Sequence, residues 1–325
     1  MSSELSAIGS AITRVRLLGL PVIDSIDDLS YHTRLSRDKI NQLWRRPAFQ
    51  YKVFDIPKKQ GGSRTIAQPS RELKALQAWI LHNILGPLRP SSASVGFERG
   101  ESILRNAQPH IGARVTMSLD LEDFFPSVRA NRVFVLFRWL GYSDWTSSLF
   151  TQLCTLEGGL PQGSPASPKL ANLVCLRLDR RIMGYVGRRG IAYTRYADDL
   201  NFSSFSQSAL VHASRFIRFI ITDEGFTLNH AKTRIAGPGR CHRTTGLVIT
   251  EESVGIGRRK FRMLRSRIND LRAVEAGTAS ADRVAHIRGW LAYVKSVDPK
   301  RHQALIQYIH KLSMREPDSA VRLLL

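Results

Sequence analysis

The sequence lacks the features that mark membrane, secreted and repeat proteins. It contains no run of 18 or more uncharged apolar residues, so no membrane-spanning helix is expected. Its three cysteines, Cys154, Cys175 and Cys241, have no Cys-x-x-Cys spacing, which argues against a disulfide framework and a zinc knuckle. Internal repeats and low-complexity tracts are also absent. A globular protein in a reducing, cytoplasmic compartment fits these absences best.

Acidic residues are scarce relative to basic ones. The 325 residues include 48 Lys and Arg but 27 Asp and Glu, which gives a formal net charge of +21. Such an excess indicates a polyanionic partner, and nucleic acid is a better candidate than a membrane surface because no amphipathic anchor with an aromatic face stands alone. With 43% hydrophobic residues, the chain has enough apolar material for a packed core.

Pattern and charge divide the chain into three regions. In residues 1–110, helical patterns accompany one hairpin signal at 54–66, where a Gly-Gly pair separates two short apolar runs. Residues 31–70 carry nine Lys and Arg against two Asp, so we expect this part to face phosphates. Strand and helix patterns alternate in residues 111–250, and residues 251–325 are predicted to be helical.

A short strand carries an aspartate. In Arg-Val-Thr-Met-Ser-Leu-Asp-Leu at 114–121 every second residue is apolar, which predicts a strand with one face packed inward. Asp120 shares the other face with Ser118 and Thr116, so we expect its carboxylate to be presented and not buried. The inward residues would be Val115, Met117, Leu119 and Leu121.

A second element carries two more aspartates. Residues 193–202 predict a hairpin whose turn falls at Asp198-Asp199, with aromatic and apolar residues on both arms. An isolated Asp-Asp pair usually lies in a solvated turn. Three carboxylates from two converging elements, however, offer the hard oxygen ligands that suit a pair of Mg²⁺ ions, and phosphoryl transfer is the chemistry that such sites serve.

Three ordered segments surround these aspartates. They are Leu-Asp-Leu-Glu-Asp-Phe-Phe-Pro-Ser at 119–127, Leu-Pro-Gln-Gly-Ser-Pro at 160–165 and Tyr-Ala-Asp-Asp at 196–199. In sequence and order they resemble the palm motifs of reverse transcriptases. The resemblance covers about residues 50–250 and continues in Ile-Pro-Lys-Lys at 56–59 with Gly61, Gly62 and Arg64, in Leu-Asn-His-Ala-Lys-Thr at 228–233 and in Thr-Gly-Leu-Val at 245–248.

One further element resembles the retron branch of that family. Asn106-Ala107-Gln108-Pro109-His110 stands where retron enzymes carry Asn-Ala-x-x-His. A Val-Thr-Gly element of the branch is replaced by Thr-Thr-Gly at 244–246, with threonine for valine. The alternatives are a bacterial reverse transcriptase of the group II intron or diversity-generating type, and a catalytically silent scaffold that only holds RNA.

The resemblance implies an α+β right-hand polymerase fold. Residues 1–110 would form N-terminal helices and fingers, 111–250 a palm with an antiparallel sheet backed by helices and part of the fingers interleaved, and 251–325 a helical thumb. It implies RNA-templated DNA synthesis from dNTPs with two Mg²⁺ ions, for which Mn²⁺ could substitute. For a retron enzyme it further implies a cognate structured non-coding RNA as template, branched RNA-linked single-stranded DNA (msDNA) as product, and antiviral defence with an effector protein.

The resemblance also assigns roles at the catalytic site. Asp120, Asp198 and Asp199 would be the catalytic metal ligands, joined by the backbone carbonyl of Leu121. Phe125 would press on the sugar and exclude a ribose 2′-hydroxyl, although a phenylalanine in this place could also be a core residue; Phe124 is the better core candidate. The other nucleotide-binding candidates are Gln162 and Gly163, the triphosphate ligands Lys58, Lys59 and Arg64, and Lys232 as the donor of a proton to pyrophosphate.

Two groups of residues are candidates for RNA binding. Asn106, His110, Thr245 and Gly246 belong to the two retron elements, although Asn106 and His110 could instead be a capping or surface pair. The second group is the basic face of a predicted helix whose apolar face contains Phe261, Leu264, Ile268 and Leu271. A calmodulin-target or membrane-surface helix has similar statistics. The basic candidates are Arg258, Arg259, Lys260, Arg262 and Arg265.

Overall fold

The structure is a computed structural model that describes residues 13–58 and 61–325. Helices and antiparallel strands are mixed along these residues, which confirms the predicted α+β class. None of the helices in the described part of the chain combines the length and apolar character needed to span a bilayer.

The N-terminal region consists of helices and one exposed hairpin. Helices α1 (Ile26–Thr33) and α2 (Arg37–Arg45) begin at the capping serines Ser25 and Ser36, whose side chains accept backbone N–H groups of the first turn. Strands β1 (Tyr51–Pro57) and β2 (Ser63–Pro69) then pair antiparallel along their full length, and helix α3 (Arg71–Ile80) follows. The hairpin predicted at 54–66 is thereby confirmed.

A four-stranded antiparallel sheet forms the centre of the molecule. Its strands are β3 (Val115–Asp120), β4 (Ala192–Tyr196), β5 (Asp199–Ser204) and β6 (Arg234–Ala236), in the order β4-β5-β3-β6. The alternation predicted for β3 is confirmed, because Val115, Met117, Leu119 and Leu121 are all at most 1% exposed.

The opposite face of β3 is also covered, so the prediction that Asp120 is presented and not buried is wrong. Thr116 and Asp120 are each 6% exposed. Thr116 Oγ1 lies 2.9 Å from His242 Nδ1, and the Asp120 carboxylate is contacted by Lys232. Period-two alternation identifies the apolar face of a strand, but it does not show what later segments place over the polar face.

Helices also surround the sheet, and those between residues 103 and 223 are α4 (Ile103–Ala107), α5 (Phe124–Ser127), α6 (Ala130–Leu140), α7 (Asp144–Cys154), α8 (Ser167–Val174), α9 (Leu176–Gly187) and α10 (Gln207–Asp223). Helices α9 and α10 pack against β4 and β5. Together with the sheet they form one core whose buried members run from Val15 to Leu228.

The C-terminal region has its own core. Strands β7 (His242–Thr244), β8 (Leu247–Ile249) and β9 (Val254–Gly255) form a small sheet, and helices α11 (Gly257–Asn269), α12 (Ala281–Val297) and α13 (Pro299–Arg315) pack together after it. The buried residues of this core run from Leu247 to Leu324 and include Ala107 of α4. The predicted apolar face of α11 is confirmed, while the domain boundaries at 110 and 250 stay a prediction.

Candidate active site

The three predicted aspartates lie at one end of the central sheet. Asp120 closes β3 and stands opposite Asp199, the first residue of β5. The hairpin turn itself consists of Ala197 and Asp198, with Ala197 in the left-handed region at φ 56°. The backbone N–H of Leu121 donates to the carbonyl of Asp198 at 3.0 Å, which ties the turn to the end of β3.

Negative charge is incompletely balanced at this end of the sheet. Burial, together with the neighbouring carboxylates of Asp198 and Asp120, raises the pKa of Asp199 to about 6, although the positive charge of Lys232 opposes this rise. Burial also raises the pKa of Asp198. The charge of Asp120 raises this pKa as well, whereas the charges of Lys232 and Arg64 lower it. Additional positive charge would therefore stabilise the ionised forms.

Lys232 supplies part of that charge. Its Nζ lies 3.0 Å from both carboxylate oxygens of Asp120, and it belongs to a short turn, His230–Lys232, which the backbone bond from Asn229 N–H to the Asp120 carbonyl holds beside β3. Partial burial opposes the ammonium charge, but the hydrogen bond and the nearby carboxylates outweigh it, so the pKa of Lys232 is raised. Lys232 is thus placed to hold a proton at Asp120.

The carboxylates have the chemistry of a site for a divalent metal. Among residues 13–58 and 61–325, no three His, Cys, Asp or Glu side chains form a ready-made metal cluster. The donors nevertheless fit a hard cation, because Asp120 and Asp198 border the same cavity and an ammonium group already contacts Asp120.

A cavity of about 620 Å³ opens beside the aspartates. One wall comes from the β1–β2 hairpin and another from the segments 120–126, 159–162 and 197–198, so residues more than 100 positions apart face one space. Lys59 lies outside the described residues. The predicted site residues that line the cavity are Lys58, Arg64, Asp120, Leu121, Phe125, Gln162, Asp198 and Lys232.

Two predicted nucleotide contacts differ in their surroundings. The Phe125 ring is half-buried and lines the cavity, whereas Phe124 is 4% exposed and belongs to the core, as expected. Gly163 has φ 132°, and a Cβ there would lie 2.5 Å from the carbonyl oxygen of Ala67 in β2. Glycine is therefore required for close approach to the β1–β2 hairpin, and a contact of Gly163 with nucleotide stays a prediction.

A buried ion pair supports the aspartate turn, and the sequence reasoning missed it. Arg195 in β4 is fully buried and makes two hydrogen bonds to Asp179, from Nε at 2.9 Å and from Nη2 at 2.7 Å. Its Nη1 donates to the carbonyl of Ala197 at 3.2 Å. The sequence did offer a signal, namely an arginine between Thr194 and Tyr196 within a predicted strand. A charge that is buried in such a strand requires a partner.

The Asn106 and His110 side chains are buried, which argues against direct RNA contact in this conformation. They are 0% and 1% exposed. His110 Nδ1 lies 2.7 Å from Ser203 Oγ and its Nε2 lies 2.8 Å from Thr194 Oγ1, so one imidazole joins β4 and β5. Asn106 Nδ2 reaches Thr245 Oγ1 at 3.4 Å, while its buried Oδ1 has no hydrogen-bond partner among the described residues.

The remaining RNA candidates lie on the C-terminal region. Thr245 and Gly246 form a turn in the left-handed region, at φ 47° and 80°. Lys260 Nζ donates to the Gly246 carbonyl at 2.8 Å, which joins this turn to the basic face of α11. Exposed arginines continue that face at Arg258, Arg259, Arg262 and Arg265.

Comparisons with known proteins agree on one family. A family model described as reverse transcriptase (RNA-dependent DNA polymerase) matches residues 56–268. The chain is 49% identical to the retron Ec86 reverse transcriptase of Escherichia coli over 93% of both chains. It is 38% identical to the retron Mx65 reverse transcriptase of Myxococcus xanthus, over 78% of this chain and 63% of that relative, and 34% identical to retron Mx162 reverse transcriptase of the same organism, over 92% and 69%.

Proposed function

The chain belongs to the reverse transcriptases, and to their retron type, and from that premise we propose that its RNA-directed DNA synthesis uses Mg²⁺ at Asp120, Asp198 and Asp199. The observation that carries the proposal is the placement of Asp120 opposite Asp199 at the edge of a cavity that basic residues of the fingers also line. The fold is the α+β right-hand polymerase arrangement, for which we propose fingers in 1–110, a palm in 111–250 and a thumb in 251–325.

The residues around the cavity supply binding, exclusion and proton transfer. Arg64 and Lys58 would hold the triphosphate, Arg64 through its planar fork. Bound Mg²⁺ would supply charge stabilisation at the reacting phosphate, with Mn²⁺ able to replace it. Lys232 would protonate the departing pyrophosphate. Phe125 would leave no room for a 2′-hydroxyl, and Gln162 would contact the nucleotide.

The similarity to retron reverse transcriptases supports a proposal for the wider role. We propose that the template is a cognate structured non-coding RNA held by the thumb, and that the product is branched RNA-linked single-stranded DNA made in antiviral defence with an effector protein. The net charge of +21 and the exposed arginine face of α11 support binding of a nucleic acid backbone. Binding should weaken steeply as salt rises, because phosphate contacts release counterions.

Asp198→Ala tests the catalytic assignment. The chain is expressed together with the proposed cognate non-coding RNA, and the bound nucleic acid is extracted and treated separately with DNase and RNase. We expect a 2′–5′ branched hybrid from the wild type and from Asp223→Ala, an exposed control. The Asp198→Ala protein should keep its RNA while DNA synthesis falls by about 10³-fold or more, since metal ligation provides several kcal/mol. Undiminished DNA synthesis would overturn the metal assignment.

Phe125→Ala tests the nucleotide pocket separately. The smaller side chain should admit ribonucleotides, so the ratio of kcat/KM for dNTP over rNTP is expected to fall. Phe124→Leu is the neighbouring control, because this core residue should leave the ratio unchanged. Unaltered discrimination in Phe125→Ala would remove Phe125 from the sugar contact.

A further inference from the structure

A second aromatic ring, that of Phe97, stands in the cavity beside Phe125. The two ring centroids are 6.2 Å apart, and the Phe97 ring is 6.1 Å from that of Tyr196, which immediately precedes the aspartate turn. Phe97 lines the cavity and remains 51% exposed. Three aromatic rings therefore extend from the proposed sugar contact to the metal-binding turn.

The backbone presents this ring at a conformational cost. Phe97 has φ 61°, in the left-handed region that residues other than glycine rarely adopt. The segment before it is pressed against the catalytic hairpin: Val95 N–H donates to the Arg195 carbonyl at 2.9 Å, and a Cβ on Gly96 would lie 3.0 Å from Ala197 N. The position of Phe97 is thus tied to the turn that carries Asp198.

Buried polar contacts hold the chain on both sides of Phe97. Asn172 Nδ2 donates to the Gly96 carbonyl at 2.8 Å and to Glu98 Oε1 at 3.2 Å. Glu98 Oε2 pairs with Lys169 Nζ at 2.6 Å, and these two side chains are only 14% and 8% exposed. Such contacts fix the loop and allow it to keep an unfavourable backbone conformation at its centre.

A folding role does not account for this arrangement. A half-exposed phenylalanine contributes little burial, and glycine would fit the backbone better. We propose that Phe97 is a further substrate-binding residue that contacts the sugar of the incoming nucleotide together with Phe125. The proposal rests on the proposed function in one respect, namely that the nucleotide occupies this cavity with its triphosphate towards Arg64.

The test measures single-nucleotide incorporation on an RNA template. For Phe97→Ala and Phe97→Gly we expect the KM for dNTP to rise roughly 10-fold, because a ring contact with a nucleotide is lost, while kcat stays within about 3-fold. Phe97→Tyr keeps the ring and should restore the KM to within about 3-fold of wild type. The control is Phe205→Ala, which removes a 71% exposed ring that does not line the cavity.

Phe97→Gly separates function from folding. Glycine accepts φ 61° without strain, so its Tm should equal or exceed that of wild type even though the KM rises. An unchanged KM in both Phe97→Ala and Phe97→Gly would overturn the inference. The proposed sugar contact of Phe125 would be overturned by a different measurement, namely unchanged rNTP discrimination in Phe125→Ala. Failure of the Phe97 inference and failure of the Phe125 assignment are therefore distinguishable.

Discussion

Two β-hairpins line the same cavity, yet they are held in opposite ways. The β4–β5 hairpin carries Asp198 and Asp199, and all but three of its strand residues are buried. The β1–β2 hairpin contributes Arg64, and most of its residues are exposed, including the apolar side chains of Val53 and Ile56 at 57% and 45%. Both hairpins have complete antiparallel pairing, so the difference lies in their surroundings and not in their strands.

The contacts of each hairpin explain the difference. The Arg195 guanidinium donates to the Ala197 carbonyl and so fixes the turn of the β4–β5 hairpin. Further along the hairpin, the His110 imidazole joins its two strands. The β1–β2 hairpin contacts the segment that carries Gln162 near its base, where Ala67 N–H donates to the Gln162 carbonyl at 2.8 Å.

The comparison separates two requirements of one reaction. The aspartates proposed as metal ligands would need fixed positions, and buried polar contacts provide them. A group that binds a triphosphate must admit and release substrate, and an exposed hairpin with few apolar contacts is the kind of element that moves at low cost. We infer that the β4–β5 hairpin, which carries the aspartates, is the rigid side of the cavity and that the β1–β2 hairpin is the adaptable side.

Arg195→Met is expected to have the largest effect on stability, because it removes the ion pair that holds the β4–β5 hairpin. It leaves the Asp179 carboxylate buried without its partner, so the free energy of unfolding should fall by about 3–5 kcal/mol. Urea denaturation measures the change. Arg37→Ala is the matched control, because its pair with Asp27 is exposed and should contribute less than about 1 kcal/mol.

The double variant Arg195→Met with Asp179→Leu checks the cause. Removing both charges leaves no unpaired buried ion, so part of the lost stability should return. DNA synthesis should be impaired in the single and the double variant alike, since both lack the hydrogen bond to the Ala197 carbonyl. A single variant within about 1 kcal/mol of wild type would show that this pair does not make the hairpin rigid.

His110 allows the rigid β4–β5 hairpin to be tested through the pH dependence of the free energy of unfolding. Burial lowers its pKa to about 4, against about 6.5 in the unfolded chain, so the unfolded state binds more protons between these values. The stability associated with neutral His110 is therefore present above pH 6.5 and is lost as the pH falls towards 4, by about 3 kcal/mol. Chemical denaturation from pH 7 to 4 measures this loss.

His110→Asn should remove that part of the pH dependence, because asparagine does not titrate. The exposed His212 provides the control: His212→Asn should keep the wild-type slope. Equal slopes for wild type and His110→Asn would mean that the imidazole does not stay neutral between β4 and β5.

The sequence predicted what depends on local pattern. Alternation located β3 and its apolar face, the two hairpins followed from turn residues between strand patterns, and the apolar face of α11 followed from helical spacing. Residues whose environment is made by distant segments were not predictable in this way. The burial of Asp120 depends on a turn 112 positions later, and Asn106 and His110 are buried by Thr194, Ser203 and Thr245. Phe97 gave no local signal, because its exposure and backbone conformation arise from contacts with Asn172 and the aspartate hairpin.

Arg64→Ala should have the smallest effect on stability and tests the adaptable side. Arg64 is exposed, yet it lines the cavity and lies close enough to lower the pKa of Asp198. A charge-assisted contact with a triphosphate is worth about 1.5–3 kcal/mol, so the KM for dNTP should rise roughly 10- to 100-fold while the free energy of unfolding stays within about 0.5 kcal/mol. Arg64→Lys should recover only part of the affinity.

Lys52→Ala removes a charge from the same hairpin outside the cavity and should leave the KM unchanged. Equal increases in KM for Arg64→Ala and Lys52→Ala would show that the β1–β2 hairpin acts only through its overall positive charge. The two hairpins would then differ in stability but not in specific contacts with the nucleotide.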